Sequence, residues 1–245
     1  VIIKTLNLSD KHIRTNVTQQ LLAVHKLIDT GSYKQALDSY IIISALLSGN
    51  PSIEYNTAWL YQKNGLHEEA VRYYKRALHT AGESSEKKAM IHFGWGLSFY
   101  AMKKFELAVD QFEQAQKGTS PLKEAEMNIA RCYIAIGVLE EAQKHIHNAL
   151  KIKDDNKLRY LLARLCFEKN EEMECKYQLE TIVSDDPEFT EAWALLGKLY
   201  RKSGDWENSQ VAYKKLTQLK PQEAEGYYYL GIAQRENGKT QEALS

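Results

Sequence analysis

Proline and glycine are scarce in this chain of 245 residues, with four and thirteen copies. Val, Ile and Thr are nowhere gathered into alternating runs, so helix is favoured over strand throughout. No charge of one sign dominates: Lys plus Arg equal Asp plus Glu at 32 each. Without an overall positive field to attract phosphates, nucleic acid is not an expected partner. The longest apolar stretch, around Tyr40 to Leu47, falls far short of the roughly 20 residues a membrane span needs, so direct membrane insertion is not expected. Cysteine is limited to Cys132, Cys166 and Cys175, which form no disulfide framework and point to a reducing, cytoplasmic setting. Gly-rich phosphate loops, HExxH helices and nucleophile elbows are missing. His145 and His147, two apart on a helix, point about 200° apart and cannot share a metal. The chain is therefore expected to be no enzyme and to need no cofactor.

What is present is a period. Ala36, Ala70, Ala108, Ala142, Cys175, Ser209 and Ala243 follow one another at intervals of 34, 38, 34, 33, 34 and 34. Five residues before them stand Gly31, Gly65, Gly137, Gly204 and Gly238, with Lys103 and Asn170 filling the two gaps. Four residues after come Tyr40, Tyr74, Phe112, Ile146, Leu179 and Tyr213, and seven after come Ile43, Ala77, Ala115, Ala149, Ile182 and Leu216. Pro51, Pro121, Pro187 and Pro221 lie near one recurrent joint. These columns predict two amphipathic helices per repeat, the first closed by a left-handed Gly and the second ending near Pro, which cannot continue a helix. Each repeat has too little apolar face to fold alone and buries it against its neighbours.

The sixth repeat carries Trp193, Leu196, Gly197, Tyr200, Gly204, Tyr213 and Pro221 in register, and the seventh starts with Tyr227, Leu230, Gly231, Gly238 and Ala243. Weaker repeats keep Trp95, Gly96 and Phe99, then Ala130 and Tyr133, then Leu162, Ala163 and Cys166. In these columns the chain resembles the tetratricopeptide repeat proteins, whose repeat reads W-x2-L-G-x2-Y and then A, F, A and P at set offsets. The resemblance implies an all-α, right-handed superhelical solenoid of stacked antiparallel helix pairs. It places a flanking segment at 1–16 and an array at 17–245, about six complete repeats and a truncated seventh, starting near 17, 51, 89, 123, 156, 190 and 224.

Several local expectations follow. Ser9 reads as an N-cap for a helix from about Asp10 to Asp29, with Val1, Ile2 and Ile3 before it. Ala81 to Lys88 is polar and reads as the loop absorbing the four-residue insertion, while Gly118-Thr119-Ser120-Pro121 reads as a normal joint. The chain begins at Val1 and stops at Ala243-Leu244-Ser245, inside a second helix, so it reads as a fragment whose uncapped end could self-associate. Asn7 and Asn16 stand in Asn-x-Ser/Thr triplets that decide nothing alone. Cys166 and Cys175 fall side by side in the family packing, where small buried filler is favoured over a disulfide or metal pair.

The resemblance also implies that function lies on the concave face, lined by the first helices, where an extended peptide or a partner helix binds. The family's inward offsets fall on Leu21, His25, Tyr55, Trp59, Phe93, Leu97, Tyr100 and Met127, then on Arg131, Arg164, Lys198, Arg201, Lys202 and Arg235, interrupted by Tyr160, Phe167, Tyr228 and Glu236. An apolar half followed by a cationic half suits a protein or peptide with hydrophobic anchors and an acidic stretch. Against this, Tyr55, Phe93 and Tyr160 could equally pack between helices, and the cations could be a solvated, paired face. Asn56 and Asn128 occupy an offset where the family holds a peptide backbone. The family's five-residue clamp for a C-terminal carboxylate is matched only by Asn56 in the first three repeats, and by Asn128 and Lys157 in the third to fifth. The expected role is an interaction scaffold, with a recruiting module of an enzyme encoded elsewhere as the alternative, and an RNA-binding repeat disfavoured by the charge.

Overall fold

The computed structural model describes residues 11–118 and 123–238. Among them every regular element is a helix, thirteen in all: α1 (Lys11–Asp29), α2 (Tyr33–Leu46), α3 (Pro51–Lys63), α4 (His67–Thr80), α5 (Ser85–Ala101), α6 (Phe105–Gln116), α7 (Lys123–Ile136), α8 (Leu139–Ile152), α9 (Asn156–Glu168), α10 (Glu172–Asp185), α11 (Thr190–Ser203), α12 (Trp206–Leu219) and α13 (Ala224–Glu236). They fall into two compact bodies, the chain dividing between Gly137 and Val138. Ser9 and the residues before it, Thr119-Ser120-Pro121, and Ala243-Leu244-Ser245 lie outside the described residues, and with them the expected first cap, the third joint and the open C-terminal end.

The turns inside the repeats share one construction. Gly31, Gly65, Gly137, Gly204 and Gly238 all have left-handed backbones, and so do Lys103 (φ 59°) and Asn170 (φ 60°), the only non-glycine residues among those described with positive φ. At Lys103 the amide of Lys104 reaches back to Phe99 O at 2.9 Å and that of Lys103 to Tyr100 O at 2.9 Å. The same pair of bonds recurs at Gly31, Gly65, Asn170 and Gly204. Two orphan carbonyls at the end of the first helix are thereby satisfied, and the chain reverses into the second helix.

The column of small residues lets the helices close on one another. Ala36, Ala70, Ala108, Ala142, Cys175 and Ser209 are all fully buried. The positions four and seven later are buried as well, from Tyr40 and Ile43 to Tyr213 and Leu216. In the first body this produces successive clusters: Val17, Leu21, Val24, Tyr40 and Ile53 between α1, α2 and α3, then Ala58, Tyr74 and Ile91, then Phe112, Ala125 and Ile129. Glycine recurs where an aromatic ring presses close against a helix. A methyl group on Gly96 would stand 2.7 Å from the Phe112 ring, and one on Gly197 would stand 2.8 Å from the Tyr213 ring.

The insertion between the second and third repeats corrects the sequence reading. Ala81 to Lys88 is not a loop. The link is confined to Ala81–Ser84, and α5 starts at Ser85, growing to 17 residues. Ser84 caps it by accepting from the Lys87 amide at 3.4 Å, and Glu86 sits in the first turn where the helix dipole favours it. Its polarity belongs to a helix start on the surface.

Candidate functional site

In the first body α3 packs chiefly against α4 and α2 and only slightly against α5. Two recesses flank α3. One, of about 270 Å³, is lined by Pro51, Ser52, Tyr55 and Asn56 from α3 and by Lys87, Met90 and Ile91 from α5. The other, of about 250 Å³, lies between His25 and Ile28 of α1, Tyr40 of α2, and Tyr55, Asn56, Trp59 and Leu60 of α3. Tyr55 and Asn56 border both, forming a ridge between them. Asn56 Nδ2 donates to the Tyr40 hydroxyl at 2.9 Å, which holds the carboxamide in place. Burial pushes the Tyr40 and Tyr55 phenols up, with the Asn56 bond opposing the shift at Tyr40, so both hydroxyls are neutral donors and acceptors.

The other inward residues of this body divide between surface and packing. Trp59 stands edge-on to Tyr33 at 5.8 Å with the Lys63 ammonium 5.3 Å from its ring, so only part of the indole faces the recess. Phe93 lies 5.6 Å from Phe112, and with Leu97 and Tyr100 it packs on the cluster around Ala108 and Ile129. The packing alternative thus holds for Phe93, and for Tyr55 in part, since its ring also tilts against Tyr74 at 5.8 Å. Leu21 is core. Asn128 is buried and gives its Nδ2 to Glu124 O at 2.7 Å; Met127 beside it is half-buried and Arg131 is exposed. Burial withholds Asn128 from any peptide backbone, unlike Asn56.

In the second body the cations are mostly engaged. Lys198 stands 3.5 Å from Glu225, Arg235 contacts Glu236 at 2.9 Å, and the Arg201 guanidinium lies 5.0 Å from the Tyr229 ring. Lys202 hydrogen-bonds Asn170 Oδ1 and lies 5.3 Å from the Phe167 ring. Tyr160 packs on Phe189 at 5.5 Å. Tyr228 is exposed. Arg164 is exposed and forms no ion pair among the described residues.

Sequence reasoning missed the polar systems that replace the family's structural aromatic. Glu54 stands at that column and is 2 % exposed, yet its carboxylate accepts from Arg76 at 3.1 Å, Thr80 at 3.1 Å and the Gly49 amide at 3.4 Å. In the third repeat His92 faces Gln111 at 2.9 Å, and in the fifth Arg159 donates to Gln178 at 2.8 Å and to Asp154. Where the aromatic is present, Trp193 donates its indole N–H to Pro187 O at 2.9 Å. The available signal was polar residues recurring at an aromatic position. Gln62 is another omission: its Nε2 donates to Gly94 O and Ser98 Oγ at 3.1 Å while its Oε1 accepts from Tyr74 at 3.2 Å, tying α3, α4 and α5 together.

The three cysteines are free and buried, and burial pushes each thiol up to about 12. A thiol so raised is a poor nucleophile and a poor metal ligand. Among the described residues no group of three His, Cys, Asp or Glu could hold a metal ion, and no helix is long and apolar enough to cross a membrane.

Comparison with known proteins agrees with this architecture. Residues 55–88 match the model of the tetratricopeptide repeat, and residues 197–238 match a second TPR repeat model. The chain is 25% identical over 234 residues to the TPR repeat-containing protein YpiA of Bacillus subtilis (strain 168), a match covering 81% of this chain and 55% of that protein. Among solved structures, the C-terminal part of a TPR repeat-containing protein from Cytophaga hutchinsonii superposes with a TM-score of 0.77 at 15% identity, over 90% of this chain and 91% of that one. YrrB, described as a TPR protein with an unusual peptide-binding site, gives 0.64 at 17% identity, over 76% of this chain and 95% of its own.

Proposed function

We propose that this chain, a member of the tetratricopeptide repeat family, is a non-catalytic protein-binding scaffold that holds an extended peptide or a partner helix on its inner helices. The observation that carries this reading is the pair of recesses on either side of α3, which converge on Tyr55 and Asn56. Concave, mainly apolar surface with a few fixed polar groups is what side-chain anchors of a partner need. Met90, half exposed at 50% on the rim, supports it too, because a large apolar side chain left in water at a recess gains by being covered. The second body offers Arg164 as an unpaired cation for an acidic stretch, whereas Lys198, Arg201, Lys202 and Arg235 are already engaged by carboxylates, rings or Asn170. The peptide-binding site named for YrrB favours the same use of the fold in this chain.

Two exposed-residue variants test the reading without touching the packing. Partners captured from a lysate by the wild-type chain are expected to be lost or weakened with Met90→Glu, and acidic ones with Arg164→Glu, while circular dichroism stays helical. Undiminished capture by both folded variants would move the interaction to the outer helix faces.

A further inference from the structure

We infer that the exposed face of α10, in the second body, is a further docking surface, for a lysine- or arginine-rich segment of a partner protein seated by an apolar side chain. It uses none of the residues around the α3 recesses and does not depend on their role.

The repeat makes the face conspicuous. Two residues before and two after the buried small residue, the first four repeats carry Lys34 and Asp38, Glu68 and Arg72, Glu106 and Asp110, and Glu140 and Lys144, all exposed. Charged residues are what the solvent side of a helix normally holds. The sixth repeat keeps Glu207 and has Val211. In the fifth repeat both positions are large and apolar: Met173 is 83% exposed and Tyr177 60%. Four apart on α10, they share one face a turn apart. Burial along this part of the helix is supplied by Cys175 and Leu179 instead. A contiguous apolar pair left in water gains by being covered, and methionine adapts to partners of varied shape.

A recess of about 400 Å³ opens beside Met173, lined by Gln143 and His147 of α8 and by Glu171, Glu172 and Glu174 around the start of α10. Acidic residues begin most of the second helices, where the helix dipole favours them; only here does an exposed apolar pair accompany them. Charge selects the occupant. Between 168 and 180, Glu168, Glu171, Glu172, Glu174 and Glu180 stand against Lys169 and Lys176, in a chain of zero net charge. Both lysines are already held, Lys169 by Glu171 at 2.7 Å and Lys176 by Glu180 at 3.7 Å. Glu171 also accepts from Gln143 at 2.9 Å. Glu172 and Glu174 form no ion pair among the described residues, Glu174 accepting from Gln178 at 2.8 Å. Lysine and arginine stems cover apolar surface while their heads reach carboxylates, and the Tyr177 ring attracts a cation as well. A basic segment with an apolar anchor is therefore complementary to this face. The same carboxylates repel an anionic lipid surface, and a two-fold contact with a second copy would bring like charges together.

The test uses the whole chain and three fluorescein-labelled, alanine-based helical peptides with two Leu four apart, one rich in Lys, one with Gln for Lys and one with Glu for Lys. Fluorescence anisotropy reads affinity. The lysine peptide is expected to bind and the glutamate peptide not. Replacing both Met173→Gln and Tyr177→Gln is expected to weaken the lysine peptide more than about tenfold, as the loss of buried apolar anchors implies. Glu172→Lys is expected to weaken the lysine peptide about threefold and leave the glutamine peptide unchanged, a difference that a folding defect would not produce. Met90→Glu should leave the lysine peptide bound, which separates this face from the recesses around α3. Undiminished binding to the Met173→Gln, Tyr177→Gln chain, or no binding to the wild-type chain, would overturn the proposal. So would a wild-type dimer in sedimentation equilibrium that those two substitutions dissolve, since the face would then belong to a second copy.

Discussion

Tyr74 lies across Gly94 so closely that a methyl group added there would stand 2.5 Å from its hydroxyl oxygen and 2.7 Å from Cζ. The contact joins the second helix of one repeat to the first helix of the next. It also aims the hydroxyl at Gln62, which in turn reaches Gly94 O and Ser98. Glycine in mid-helix costs about 1 kcal/mol relative to alanine, and here it is kept because the ring needs the space.

Gly94→Ala is therefore expected to destabilise the first body by about 2 kcal/mol despite its better helix propensity, since the fully buried ring of Tyr74 has nowhere to retreat. Tyr74→Phe in the same chain removes the nearest atom but leaves the ring carbons, so it should recover only part of the loss. Urea melts of the two single variants and the double variant measure the coupling; strict additivity would deny the contact its role.

Lys103 and Asn170 share a left-handed turn but differ in what they do there. A side chain in this conformation is strained by about 1–2 kcal/mol, partly offset for glycine by its larger unfolded-state freedom. Lys103→Gly should stabilise by about 0.5–1 kcal/mol. Asn170→Gly should gain less, because Asn tolerates the conformation better and the bond from Lys202 to its Oδ1 is lost. Thermal melts of the two variants check the order.

Glu54 is a buried carboxylate satisfied by three donors, one of them the half-exposed Arg76. Arg76→Ala should cost about 2 kcal/mol, more than deletion of a surface ion pair, because it leaves the carboxylate buried with an acceptor site empty. Combining it with Glu54→Leu should cost less than the sum of the two single changes. A double-mutant cycle in urea reads this directly.

The thiols of Cys132, Cys166 and Cys175 should resist a thiol reagent at pH 8 in the native chain and all react once it is unfolded. Their folded values of about 12 lie above the ordinary thiol value of 9.0. The unfolded chain thus loses protons first: the neutral thiols favour the fold fully below about pH 9, and that contribution declines as pH rises towards 12. Rapid labelling of the folded chain would contradict their burial.

Much of the fold was legible because its constraints are periodic. Burial of Ala36, Ala70, Ala108 and the residues four and seven after them depends only on which face of a helix they occupy. The left-handed turns at Gly31 and Gly65 depend on φ alone, a property of the local chain, and even Lys103 and Asn170 betrayed their conformation by position. The candidate site was less legible. Tyr55, Asn56 and Trp59, expected by offset, border the recesses, while Met90 and Lys87, which line one of them, carried no signal of their own.

Sequence by itself determined the repeat, its helix pairs and the face each helix buries, since spacing along a helix converts directly into direction around it. Only the tertiary structure decided that Ala81 to Lys88 contains a helix start, that Phe93 packs while Asn56 remains on a ridge, that Lys198 and Arg235 meet carboxylates, and that Glu54 replaces an aromatic by gathering Arg76 and Thr80. Those outcomes depend on which side chains from different helices come within bonding distance, and that distance is set by packing, which a one-dimensional period does not contain.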